Sequence, residues 1–167
     1  MSDSHKPLVI FHANCLDGFG SAYGAWVHFH LNRGIEADYL PAAHGDTPPE
    51  VSGRTVYVLD YAYKREPMVQ LCRQAERVIV LDHHITALEQ LTGLDRECPN
   101  LELVLDMERS GAMITWEYFH AGPPPKLIAC VQDRDMWRWE IPESQDVNAG
   151  LMSHPFRFEH WHQVATD

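Results

Sequence analysis

Four short apolar runs constrain this chain more than anything else in it: LVIF at Leu8–Phe11, VYVL at Val56–Leu59, VIVL at Val78–Leu81 and LELVL at Leu101–Leu105. The first three have no charged position, so each must hide both of its faces. Strands of that kind belong in a parallel sheet covered on both sides. A weaker fifth segment, Ala37–Ala42, carries Pro41, which suits a strand end or a sheet edge. Helical patterns fill the intervals. Gly18–Asn32 sets Phe19, Ala22, Tyr23, Trp26, Val27 and His30 at helical spacing, and Lys64–Ala75 does the same with Met68, Val69, Leu71 and Cys72. Thr86–Leu91 is shorter. Ser110 opens another helix, which Gly122 and three prolines stop. Lys126–Gln132, Glu143–Met152 and Phe156–Val164 complete the set. Strand and helix in alternation predict a doubly wound α/β fold, a mainly parallel five-stranded sheet with helices on both faces. With 167 residues and no internal repeat, one domain is expected over 1–167, with its core at about 8–139 and a helical tail at 140–167.

Composition narrows the partners. The formal net charge is −11, and no basic stripe interrupts it, so unspecific binding of duplex DNA is not expected. No apolar run approaches the ~20 residues of a membrane helix. The start, Met1–Pro7, lacks the apolar core of a signal peptide. Cysteines stand at 15, 72, 98 and 130 without a CxxC pair, which argues against a zinc knuckle or redox pair and fits reduced thiols in the cytoplasm.

Open parallel sheets bind ligands beyond the carboxyl ends of their strands. There the chain places its acids and imidazoles. His12, Asn14 and Asp17 follow LVIF, Asp60 follows VYVL, and Asp82, His83 and His84 follow VIVL. A single strand-terminal aspartate is often a helix N-cap, and a lone histidine is usually structural. Several such groups on one rim are costly to desolvate unless a cation joins them. Imidazole with carboxylate suits manganese, iron or zinc. The stretch DGFGSA fits neither a dinucleotide fingerprint nor a nucleotide P-loop, and reads as a tight turn that aims Asp17 at the rim. Trp116, Tyr118 and Phe119 lie among apolar neighbours and read as core. Trp137, Arg138 and Trp139 are the better candidates for a pocket wall.

The tripeptide Asp82-His83-His84 resembles the signature of the DHH phosphoesterase superfamily, which includes single-strand exonucleases, small-oligonucleotide nucleases, cyclic-dinucleotide phosphodiesterases and manganese pyrophosphatases. The other elements stand in the expected order: FHANCLDGFGSA at 11–22, VYVLDYA at 56–62, SGA at 110–112 and VQDRDMW at 131–137. The likeness covers residues 8 to about 139 and is nearest to the subgroup with an FHxNCxDG opening. It implies a phosphodiester or phosphate ester as substrate, such as a nucleotide or short oligonucleotide. It also implies two divalent ions, usually Mn2+, with Mg2+ or Fe2+ as alternatives, that activate a water. By position, His12, Asp17, Asp60, His83 and Asp133 would be the ligands, with Asp60 bridging and Asp135 competing with Asp133. Asp60, His84 and Asp82 would carry catalysis: His84 facing the phosphate, Asp82 orienting its neighbours by hydrogen bonding. Asn14, His84, Arg109 and Ser110 would contact substrate.

Two departures from that pattern leave a second reading open. The first motif usually holds a histidine and two aspartates, whereas His12–Asp17 contains one aspartate, so the expectation is either Asn14 or a water in place of the other or one weakly bound ion. The C-terminal substrate-binding domain of most relatives does not follow Asp167, so the expectation is either that a second copy or another protein supplies that wall or that the chain is a truncated product. A catalytically weak nucleotide-binding or regulatory module is therefore the alternative to an enzyme. A flavodoxin-like or receiver domain fits Asp60 but not His12 or the His83-His84 pair.

Overall fold

The computed structural model describes residues 6–167, so most of the Met1–Pro7 stretch lies outside the described residues. Five strands form one sheet: β1 (Leu8–His12), β2 (Asp38–Ala42), β3 (Thr55–Leu59), β4 (Arg77–Asp82) and β5 (Leu101–Leu105). Their order is β2-β1-β3-β4-β5, and every pairing is parallel. The five expected strands are all present, with ends shifted by a residue at most. Pro41 lies on the edge strand β2, in register with Phe11, where a missing N–H is tolerated.

Alternation along each strand splits the core in two. Val9, Phe11, Leu59, Ile79 and Leu81 face one layer, together with residues of α1 (Leu16–Trp26). Leu8, Ile10, Val56, Val58, Val78 and Val80 face the other. There they meet Met68 and Leu71 of α2 (Arg65–Gln74), Leu91 of α3 (Ile85–Leu91) and Leu94 of α4 (Leu94–Glu97). The first layer is completed by α5 (Gly111–Phe119), α6 (Lys126–Asp135), α7 (Ser144–Met152) and α8 (Phe158–Thr166). Helices thus cover both faces of a doubly wound α/β sheet, as the uninterrupted apolar strands require. Among the described residues no helix is long and apolar enough to cross a membrane.

The tail packs into the first layer. Trp161 of α8 is fully buried, with ring-centroid distances of 5.0 Å to Phe19 and 6.1 Å to Tyr23. Trp116, Tyr118 and Phe119 pack against the same layer, as core residues should.

Two elements differ from expectation. The stretch DGFG is not a turn but the first turns of α1, which begins at Leu16 and continues as a wider π-helical segment at Val27–Asn32. The chain reverses earlier, at Asn14, whose φ of 54° places a non-glycine residue in the left-handed region. The glycines serve close packing instead. A Cβ on Gly18 would collide with the backbone carbonyl of His12, and one on Gly20 would stand 3.0 Å from Cβ of Ala112 in α5. The short helix α4 was not foreseen. Gly93, at φ 84°, makes the left-handed step that starts it.

Candidate metal centre

Strand order reverses between β1 and β3: the chain leaves β1 toward one edge and returns on its other side. Ligand crevices form at such points, beyond the strand ends. His12 ends β1, Asp60 follows β3, and Asp82 ends β4 with His83 and His84 after it. Asp17 joins them from the first turn of α1. Asp60 takes φ 53°, a conformation that costs a non-glycine residue about 1–3 kcal/mol and persists where the surroundings demand it.

Asp60 is 1% exposed and presents its two oxygens to two different sets of groups. Oδ1 lies 3.1 Å from Nε2 of His83. Oδ2 lies 3.8 Å from Nδ1 of His12 and 3.7 Å from the thiol of Cys15. On the His83 side, Nε2 is also 3.1 Å from Oδ2 of Asp17 and 3.5 Å from Oδ2 of Asp135. Two groups of potential ligands result, His12–Cys15–Asp60 and Asp17–His83–Asp135, and in each the donor atoms lie within 4.8 Å of one another. Asp60 stands in the first and touches the second. Asp60, Asp82, His83 and His84 form a further group, of four, within the same 4.8 Å limit.

The helix start at Gly111 fixes the inner wall. The amides of Gly111 and Ala112 donate to the two oxygens of Asp17, each at 2.9 Å. This is a carboxylate held at a helix N-terminus, where the partial positive charge favours it. Asp82 holds the outer histidines: its Oδ1 accepts from the His83 amide at 2.8 Å and lies 2.7 Å from Nδ1 of His84. With the proton on Nδ1 donated to Asp82, Nε2 of His84 offers a lone pair when the ring is neutral and a donor N–H when it is protonated.

Electrostatics mark the cluster as short of positive charge. Burial pulls the His83 imidazole down, but hydrogen bonds and charge from Asp17 and Asp60 outweigh it and push its pKa up to about 11. Burial raises Asp17, and the neighbouring Asp60 adds to the shift. Burial likewise raises Asp135 to about 6, with Asp17 adding to it. The nearby Asp60 carboxylate raises His12, and a hydrogen bond to Asp82 raises His84. The Cys15 thiol is pushed up to about 12 by burial and by Asp60. Carboxylates crowded this closely favour protonation of themselves and of any imidazole between them unless a cation enters. Nδ1 of His12 is itself buried with no hydrogen-bond partner, and its lone pair would suit a metal ion. The donor set therefore fits a pair of divalent ions.

Several sequence expectations need correction. Asp135, not Asp133, joins the cluster. The two are neighbours but one in α6 and so project about 200° apart; only one can face His83. Asp133 instead caps the following segment, accepting from the amides of Glu140 at 2.8 Å and Ile141 at 3.1 Å and from Oγ of Ser144 at 2.5 Å. Burial opposes its ionisation, but these three donors outweigh it and hold its pKa below the ordinary carboxylate value. Asn14 is exposed in the turn, and Cys15 rather than Asn14 stands with His12 and Asp60. Arg109 and Ser110 are committed elsewhere. Arg109 pairs with Asp106 and Glu117, while Ser110 caps α5 by accepting from the Met113 amide at 3.2 Å.

A cleft of about 280 Å³ opens beside the cluster, lined among others by His12, His44, Tyr61, Lys64, Asp82 and His84. His44, from the loop after β2, lies 5.6 Å from the His12 ring and 5.7 Å from Tyr61. None of the three is given a role by the sequence: His44 lies in a loop without a motif, Tyr61 is in VYVLDYA only as the neighbour of Asp60, and Lys64 is only the start of a helical pattern. Trp137 and Trp139 contact each other edge to face, with Trp137 75% exposed, and neither lines this cleft.

No family model matches the chain. An uncharacterized protein of Acanthamoeba polyphaga mimivirus is 33% identical to it over 167 residues, an alignment that takes in 92% of this chain. The chain spans 39% of that relative's length.

Proposed function

We propose that this chain is a divalent-metal-dependent phosphohydrolase acting on a phosphodiester or phosphate ester, of the size of a nucleotide or short oligonucleotide. The observation that carries this reading is the placement of Asp60, whose two oxygens face two separate ligand groups, the arrangement a bridging carboxylate needs. His12 would bind on one side, and Asp17, His83 and Asp135 on the other. Bound divalent ions would bring a coordinated water toward ionisation at neutral pH and neutralise charge on phosphoryl oxygens. His84, made more basic by Asp82 and lining the cleft, is suited to donate a hydrogen bond to a phosphoryl oxygen. Lys64 lines the same cleft and can draw an anion to it in an otherwise acidic protein. The cleft, about 280 Å³, is at the small end of the range of about 300–1,000 Å³ found for small-molecule pockets, which suits a substrate no larger than a nucleotide within it. Manganese is the preferred ion for the oxygen-rich side, and the reduced cytoplasm is the preferred compartment for four unpaired cysteines.

The test is hydrolysis of a chromogenic phosphodiester and of short oligonucleotides by metal-stripped protein, with Mn2+ added back. Turnover that requires the ion and disappears in Asp60→Asn is the expected result. Tight nucleotide binding without metal-dependent turnover would transfer the assignment to a binding or regulatory module, the reading favoured by the missing carboxylate of the first motif.

A further inference from the structure

From the geometry around His12 we infer that Cys15 is a thiolate ligand, so that this chain carries one sulfur-containing metal site beside one built from oxygen and nitrogen. The inference rests on the metal-dependent reading above and adds to it the identity of a ligand and the class of ion selected. Cys15 is the residue that precedes α1, and the left-handed backbone of Asn14 turns the chain immediately before it. Its sulfur lies 3.7 Å from Oδ2 of Asp60. Nδ1 of His12 lies 3.8 Å from the same oxygen and has no hydrogen-bond partner despite its burial. A tetrahedral ion with bonds of about 2.3 Å to sulfur and about 2.0–2.1 Å to nitrogen and oxygen holds its ligand atoms roughly 3.3–3.6 Å apart. The two separations from Asp60 need contract by only a few tenths of an ångström to meet it, and the ligand atoms of His12 and Cys15 lie within 4.8 Å of each other.

The other three cysteines offer no comparable setting. Cys72 and Cys98 are buried in the second hydrophobic layer, and Cys130 is buried within α6. Cys15 alone among them belongs to a ligand group of the cluster. The consequence is a difference in preference between the two sides. Sulfur with imidazole and one carboxylate selects Zn2+, Fe2+ or Co2+ over Mn2+ and Mg2+, whereas Asp17, Asp135 and His83 with Asp60 suit Mn2+. A thiolate also replaces, charge for charge, the carboxylate that the first motif lacks.

Cobalt tests this directly, because a thiolate ligand gives Co2+ an intense charge-transfer absorption that oxygen and nitrogen ligands do not. Metal-stripped full-length protein is titrated with Co2+, with absorption spectra and bound metal measured together. The wild type should develop the band as the first equivalent binds. Cys15→Ser should lose it, while Cys72→Ser keeps it. Cys15→Asp should still take up metal, without the band, and its preference for Zn2+ over Mn2+ should fall at least tenfold. Cobalt bound at stoichiometric level without the band, or a band that survives in Cys15→Ser, overturns the assignment of Cys15 and leaves the metal-dependent reading standing. Failure of the wild type to bind Co2+, Zn2+ or Mn2+ overturns both. Cys15 is only partly buried, so serine is expected to fold, and thermal unfolding of each metal-free variant confirms it.

Discussion

Gly111 lies against Asp60 so closely that a Cβ on the glycine would stand 2.6 Å from Cβ of Asp60 and 2.7 Å from its Oδ1. Two demands meet there. The start of α5 must come near enough for its amides to hold Asp17, and Asp60 must keep the orientation that serves both ligand groups. Only a residue without a side chain satisfies both. Gly111→Ala should therefore cost about 1–3 kcal/mol as overpacking, more than the gain of up to about 1 kcal/mol that alanine brings to a helix. Metal affinity should fall with it, because Asp60 is the group displaced. Urea unfolding and metal calorimetry on the same variant check the pair of effects. Unchanged affinity would show that Asp60 is free to move.

The two aspartates of QDRD give opposite predictions. Asp135→Asn should weaken Mn2+ binding at least tenfold and leave metal-free stability nearly unchanged or raised, since a carboxylate already pushed up to about 6 by burial and Asp17 is removed. Asp133→Asn should destabilise the fold and spare metal affinity in the fraction that remains folded. Its amide nitrogen would face the N–H groups of Glu140 or Ile141, which need an acceptor. Calorimetry and thermal unfolding on both variants separate them, and a reversed pattern would return the ligand role to Asp133.

This pair also shows where sequence reading ran out. The strands were legible because their apolar positions are contiguous, and the rim was legible because His12, Asp60 and Asp82 each follow such a run. The choice between Asp133 and Asp135 depends on the rotation of α6 about its axis. The seven residues Lys126–Gln132 do not fix that rotation, because the acidic positions lie just past them. Cys15 carries no signal of its own in the sequence, because a single cysteine outside a CxxC pair marks no site by its spacing. DGFG was misread because glycine supports both a turn and close helix packing, and only the position of His12 and Ala112 tells them apart.

The depressed pKa of Asp133 makes a signed prediction for acid. A carboxyl whose folded value lies below its unfolded value of about 3.9 contributes stability that is fully present above the unfolded value and is lost as pH falls through the folded one. The stability gap between wild type and Asp133→Asn should thus be constant near neutrality and shrink below about pH 4. Urea midpoints measured across that range test it. A gap that widens in acid would mean that the carboxylate is not the stabilised form.

Trp161 tests whether the C-terminal helices belong to the same cooperative unit as the sheet. Its indole is fully buried against Phe19 of α1, and Phe156 and Phe158 flank the same ring. Because α1 also carries Asp17 in its first turn, loosening its packing should reach the proposed metal centre. Trp161→Ala should cost about 3–5 kcal/mol, the usual loss for a large buried aromatic side chain. It should shift the whole unfolding transition without adding a second one. Trp161→Phe should recover part of the loss, since it also removes an indole N–H that has no hydrogen-bond partner. Near-ultraviolet and far-ultraviolet circular dichroism followed through the same thermal transition decide the point. Coincident curves mean one unit, whereas an early loss of the aromatic signal together with part of the helical signal would mean that α7 and α8 melt from a sheet that stands without them.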